Sequence, residues 1–227
     1  MADLTTLYVQ APALLDAGER GLSTDAMPGI PALERQPPPI PMGPGRAERR
    51  ECEYLRRGTL TLIAKCDVAR GQVVAPSMGP TRTAEDFLVR IPRTVASDPE
   101  ATRWHFVTAN LNPHQSESLV RFVAQYDGIT DNLGPKEQHG ILRSMATRAA
   151  FLSDPTHHSV FHSTPKHASW MHQIAMWFSI VVRKVLKRAS FTAVEDVQAQ
   201  VLAFIDYCNA TMAKPFQWTY GRKPLSV

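Results

Sequence analysis

Five histidines crowd the second half of the chain: His157, His158, His162, His167 and His172. Imidazoles about three to five residues apart are a common ligand pattern for zinc. The same spacing suits a polar loop with satisfied histidines beside a helix start. No cysteine lies near them and no HExxH pair is present, so the pattern stops short of a metal motif. A second group is basic. Arg183, Lys184, Lys187 and Arg188 are spaced so that a helix brings them onto neighbouring turns. Such a face can bind phosphates, and it can equally be a solvated surface. A third is the turn Lys166-His167-Ala168-Ser169-Trp170, whose free N–H groups ahead of a helix can hold an anion. A capping turn around a packed tryptophan explains it as well. GxxxxGK[ST], GxGxxG and GxSxG are all absent, which removes the usual support for ATPase, dinucleotide oxidoreductase and α/β-hydrolase chemistry.

The elements that must position these residues are legible in part. Residues 1–20 read as an arm, and Gly21–Asp25 as a short strand ending on an acid. Prolines 31, 37, 38, 39, 41 and 44 predict an extended loop over 31–50, since proline lacks a backbone donor and fixes φ. Thr59–Ala64 alternates and is rich in β-branched residues, and residues 69–72 supply the turn of a hairpin returning over 72–75. A helix is expected over 83–96, with Thr83 as its N-cap and Pro92 as a kink. Trp104–Thr108 reads as a buried strand that runs into the polar segment Ala109-Asn110-Leu111-Asn112-Pro113-His114. Short helices are expected over 116–125 and 140–152, and a strand at Val160–His162. The longest helical pattern is 168–189: Ile174, Trp177, Phe178, Val181 and Val185 share one face. A second helix starts at Thr192, with Glu195 closing a capping box and Val194, Val197, Val201, Phe204 and Cys208 on its apolar face. Strands interleaved with helices, then helices alone, predict an α/β fold with a mixed sheet flanked by helices.

Composition sets the bounds. The 227 residues suffice for one large domain, or one domain plus an arm. With 44% hydrophobic and 20% charged residues, the chain is neither disordered nor collagen-like. No apolar run reaches about 18 residues, so no membrane partner is expected. No signal peptide is visible, and Cys52, Cys66 and Cys208 form no CxxC pair, which together point to a cytoplasmic location. The net charge of +4 permits a nucleic-acid partner without requiring one.

Several segments together carry a resemblance. They are Gly29-Ile30-Pro31-Ala32-Leu33-Glu34-Arg35, Arg49-Arg50-Glu51-Cys52-Glu53-Tyr54 with Gly58-Thr59, Asn110–His114, Thr164-Pro165 with Lys166–Trp170, and Trp177-Phe178-Ser179. The combination is similar to bacterial mariner-like insertion-sequence transposases, over nearly the whole chain. The resemblance implies a ribonuclease-H-like DDE domain spanning 21–227. In that family three carboxylates hold two Mg²⁺ or Mn²⁺ ions, which activate the attacking oxygen and stabilise the leaving one. The family also implies helix-turn-helix segments ahead of the catalytic domain; none is expected in this sequence, and with it no sequence-specific DNA recognition.

The resemblance breaks at the acids. Asp25 matches the first. The second is expected immediately before Asn110, where Ala109 stands, and the third just after Ile174, where Ala175 stands. Ala26 and His172 also depart, from an acid and an asparagine respectively. A methyl group cannot ligate a metal, and one carboxylate cannot hold two divalent cations against their repulsion. Asp127, Asp131 and Glu117 are the nearest substitutes, on other elements. The expectation is therefore a domesticated or decayed transposase domain with a degenerate active site and no bound cofactor. It is expected to keep weak, non-specific DNA binding through Lys166, Arg183, Lys184, Lys187 and Arg188, and to dimerise. The alternative is a scaffold recruited as a metal-independent enzyme or small-molecule binder. Asp25, Asn110, His114, His167, Trp170 and His172 are then its pocket residues, in a cleft made more apolar by the two alanines. An active nuclease with an unorthodox ligand set ranks third.

Overall fold

The computed structural model describes residues 2–36, 40–47, 49, 53–109, 115–130, 133–165, 168–187 and 189–218. Strand β1 (Glu19–Arg35) runs through the middle of a five-stranded sheet of order β3-β2-β1-β4-β5. β2 (Tyr54–Asp67) pairs antiparallel with β1 and turns back into antiparallel β3 (Val73–Gly79). β4 (Arg103–Thr108) runs parallel to β1, and β5 (Ser159–Ser163) parallel to β4. This is the mixed, helix-flanked sheet of a ribonuclease-H-like α/β fold.

The expectation of a loop from residue 31 fails at its start. Residues 31–35 continue β1, with Pro31 opposite Thr59. The reason is the shape of the sheet. Pairing with β4 ends at Thr24–Thr108, so beyond that rung β1 has a partner on one side only, and a proline there costs the ladder little. Bulges between Met27 and Ile30 and between Ala32 and Leu33 absorb the irregularity. After the strand the chain folds on itself: Ile40 and Arg49 exchange backbone hydrogen bonds of 2.9 and 3.1 Å.

Helices cover both faces. α1 (Ala2–Asp16) lies within the stretch read as an arm, and buries Leu4, Leu7, Tyr8 and Ala11 against Val68, Val107 and Met171. On one face α6 (Gln173–Val181) and α7 (Val194–Thr211) pack on β1 and β2. Ile174, Trp177, Phe178 and Val181 meet Leu62, Ala64, Val197, Val201 and Ile205. On the other face α2 (Ala84–Leu88), α3 (Arg90–Ala96), α4 (Glu117–Tyr126) and α5 (Met145–Leu152) enclose Leu22, Phe106 and Phe161. Each such fully buried side chain contributes about 1.5–3 kcal/mol.

Three helix bounds differ from expectation. The helix over 83–96 is two helices that break at Val89; Thr83 caps the first through Asp86, and Pro92 sits in the first turn of the second, where its missing N–H serves no carbonyl. The long pattern over 168–189 resolves into a 3₁₀ turn (Ser169–Met171), α6 and a π turn (Val182–Leu186). At the start of α7 it is Asp196, not Glu195, that accepts the N–H groups of Thr192 (3.0 Å) and Ala193 (3.1 Å). Among the described residues no helix is long and apolar enough to cross a membrane.

Candidate functional site

The sheet and α6 bring three distant chain positions to one place. Thr24 opposite Thr108 is the last rung between β1 and β4, so Asp25 and Ala109 leave the ladder side by side. The backbone N–H of Ile174 donates to Ser23 Oγ at 3.1 Å, which fixes the first turn of α6, with Ala175, against the same end of β1. Ala175 is exposed there and Ala109 is half-buried.

Asp25 is already engaged. Its Oδ1 accepts the Ala26 N–H at 2.7 Å, and its Oδ2 lies 3.3 Å from His172 Nδ1. His172 is buried, and its Nε2 lies 3.1 Å from the Val107 carbonyl oxygen. A carbonyl only accepts, so Nε2 carries a hydrogen. The contact between Nδ1 and the carboxylate then needs one further proton between them. That hydrogen bond and the one to Val107 together fix the ring between the acid and β4.

The other candidates are spread out. Trp170 is 51% exposed, and its ring stacks on Trp218 with centroids 6.3 Å apart and planes 6° apart. Arg183 and Lys184 lie exposed on the π turn after α6, with Lys187 just beyond it. Asn110, His114, Lys166, His167 and Arg188 lie outside the described residues. The histidine cluster disperses in space. His157 packs on Phe151 with centroids 4.5 Å apart, His158 packs on Tyr126 at 5.2 Å, and His162 meets His105. Among the described residues no group of three or more His, Cys, Asp or Glu is placed to hold a metal ion. Of the substitute acids, Glu117 pairs with Arg121 at 2.8 Å and Asp127 accepts the His158 N–H at 3.1 Å; Asp131 lies outside the described residues. The residues described around Asp25 therefore do not fit a pair of divalent ions.

Sequence reasoning missed a polar row beneath this site. Lys65 stands opposite Thr24, which stands opposite Thr108. All three are buried, and Lys65 Nζ, Thr24 Oγ1 and Thr108 Oγ1 have no hydrogen-bond partner. Burial pushes the Lys65 ammonium down from 10.5 to about 7, with the Arg90 charge adding to the effect. The composition of β2 holds the signal, since Lys65 falls in a run otherwise fit for a strand buried on both faces.

Fold and site define a ribonuclease-H-like domain with a carboxylate at the end of the parallel ladder of its central strand. Residues 30–198 match the sequence model of the DDE superfamily endonucleases, and the chain belongs to that family. Asp25 falls just ahead of the matched span. No curated protein matches the chain. Among solved structures it is similar to the Mos1 mariner paired-end complex with Mn, at 13% identity and a TM-score of 0.35 over 96% of this chain and 64% of that one. It is also similar to the Mos1 transposase paired-end complex with left transposon end, at 12% identity and a TM-score of 0.35 over 96% and 64%. The pre-cleavage Mos1 transpososome matches at 16% identity and a TM-score of 0.35, over 94% of this chain and 64% of that one. The chain thus spans less than two thirds of the length of these transposases.

Proposed function

We propose that this chain is a DDE-family domain that holds DNA without cutting it. The convergence of Asp25, Ala109 and Ala175 carries this reading. Where the family places three carboxylates, this place has one acid and two methyl groups, and the acid is engaged by His172. His172 thus holds the one remaining acid at the end of β1. Arg183, Lys184 and Lys187 then give a salt-sensitive contact to phosphates, on the chain alone or beside a second copy.

The test is fluorescence anisotropy with a duplex oligonucleotide over a salt series, beside a cleavage assay with Mg²⁺ and Mn²⁺. Binding at low salt that weakens steeply with added salt, and no cleavage, is expected. Cleavage that disappears in Asp25→Asn contradicts the account. A complete lack of DNA binding at low salt moves support to the recruited scaffold, a small-molecule site around Asp25 and His172.

A further inference from the structure

A second polar cluster stands apart from Asp25 and takes no part in that reading. His105 on β4 meets His162 on the edge strand β5, with Nδ1 and Nε2 3.1 Å apart. Behind it, His105 Nε2 lies 2.7 Å from Glu19 Oε2 at the start of β1. The ionised carboxylate only accepts, so Nε2 of His105 carries the hydrogen and its Nδ1 presents a bare lone pair to His162. Burial pushes the His105 imidazole below its ordinary value, against the pull of Glu19. Arg103 holds the other oxygen of Glu19 at 3.4 Å, which fixes the carboxylate in place.

Two nitrogens that ligate one ion at about 2.0–2.1 Å each stand about 2.9–3.4 Å apart, the spacing seen between these two rings. A carboxylate on the far nitrogen of a ligand histidine orients the ring and raises its basicity. A groove of about 510 Å³, lined by His105, Ser153, Val160, His162 and Ser163 among others, leaves room for an ion and its water.

We propose that His105 and His162, with Glu19 positioning His105, form a two-histidine site for a borderline divalent cation such as Zn²⁺, with water completing the shell. The cation takes the place of the hydrogen between the two rings, and the His162 proton moves to its Nδ1, so no net charge is lost from the protein. No third protein ligand is available among the described residues, so the site binds loosely compared with a structural zinc cage. Imidazole suits Zn²⁺, Ni²⁺ and Cu²⁺, whereas Mg²⁺ demands oxygen, so the site is distinct in chemistry from a DDE centre.

The experiment is calorimetric titration of the untagged chain with Zn²⁺ in excess Mg²⁺, beside the Zn²⁺-dependent shift in thermal midpoint. One site is expected, with a rise in midpoint. His162→Ala should weaken binding at least tenfold and abolish the shift, Glu19→Gln should weaken it about 10–100-fold, and Asp25→Asn should leave it unchanged. The proposal is overturned if no Zn²⁺ binds. It is equally overturned if binding survives within twofold in both His162→Ala and His105→Asn, or follows Asp25 instead. The thermal midpoint without Zn²⁺ reports whether each variant is folded.

Discussion

His172 Nδ1 stands 3.3 Å from Asp25 Oδ2 while its Nε2 is tied to the Val107 carbonyl at 3.1 Å. One buried ring thus links the end of β1, the body of β4 and the start of α6. His172→Ala removes one bond to the Val107 carbonyl and the partner of Asp25. A loss of stability of about 0.5–1.5 kcal/mol is expected for each lost bond, and more from the cavity. Urea unfolding measures it. Asp25 is partly exposed, so Asp25→Asn should cost clearly less. Equal costs would show that the Val107 bond and the packing of the ring add nothing beyond the contact with Asp25.

Lys65 makes stability depend on pH in a defined window. Its folded value, lowered from 10.5 to about 7, means that between those values the unfolded chain holds a proton that the folded chain does not. Stability therefore rises with pH across the window, by at most about 1.4 kcal/mol per unit, and this term is flat below about pH 7, where both states are protonated. Lys65→Met should raise stability at pH 7 and remove this rise. Chemical denaturation at pH 7, 8 and 9 measures both.

Gly71 closes the β2–β3 turn with φ +71°. A Cβ there would stand 2.0 Å from the Lys214 carbonyl oxygen, a backbone atom that a side-chain rotation cannot clear. Gly71→Ala should cost about 1–3 kcal/mol from conformation alone, with the clash in addition. A lowered urea midpoint with an unchanged slope is the expected result.

Replacing Arg183, Lys184 and Lys187 together by alanine should reduce the slope of log affinity against log salt by about 0.9 per lost phosphate contact. Anisotropy at several salt concentrations measures it. An unchanged slope would place the phosphate contacts elsewhere on the molecule.

Much of the fold was legible because periodicity reports burial. The face of Ile174, Trp177, Phe178 and Val181 is the one that α6 buries, and Thr83 caps its helix as its type and spacing suggest. Pro31 reads as loop because proline is excluded from central strands, and nothing local in the sequence says where β4 stops pairing with β1. The neighbourhood of Asp25, Ala109 and Ala175 was inferred through resemblance, since nothing local says that Ala175 lies near Asp25; the Ser23–Ile174 hydrogen bond supplies the reason. His105 and His162 lie on neighbouring strands far apart in sequence, and local spacing drew attention to the wrong histidine partners. Strand register decides such pairs, and register is a property of the whole sheet.

The most direct measurement of the central claim is calorimetry with Mg²⁺ and Mn²⁺ on this chain and on the double restoration Ala109→Asp with Ala175→Glu. No binding that depends on Asp25 is expected in the present chain, and binding is expected of the restored one. Tight binding by the present chain that vanishes in Asp25→Asn would contradict it.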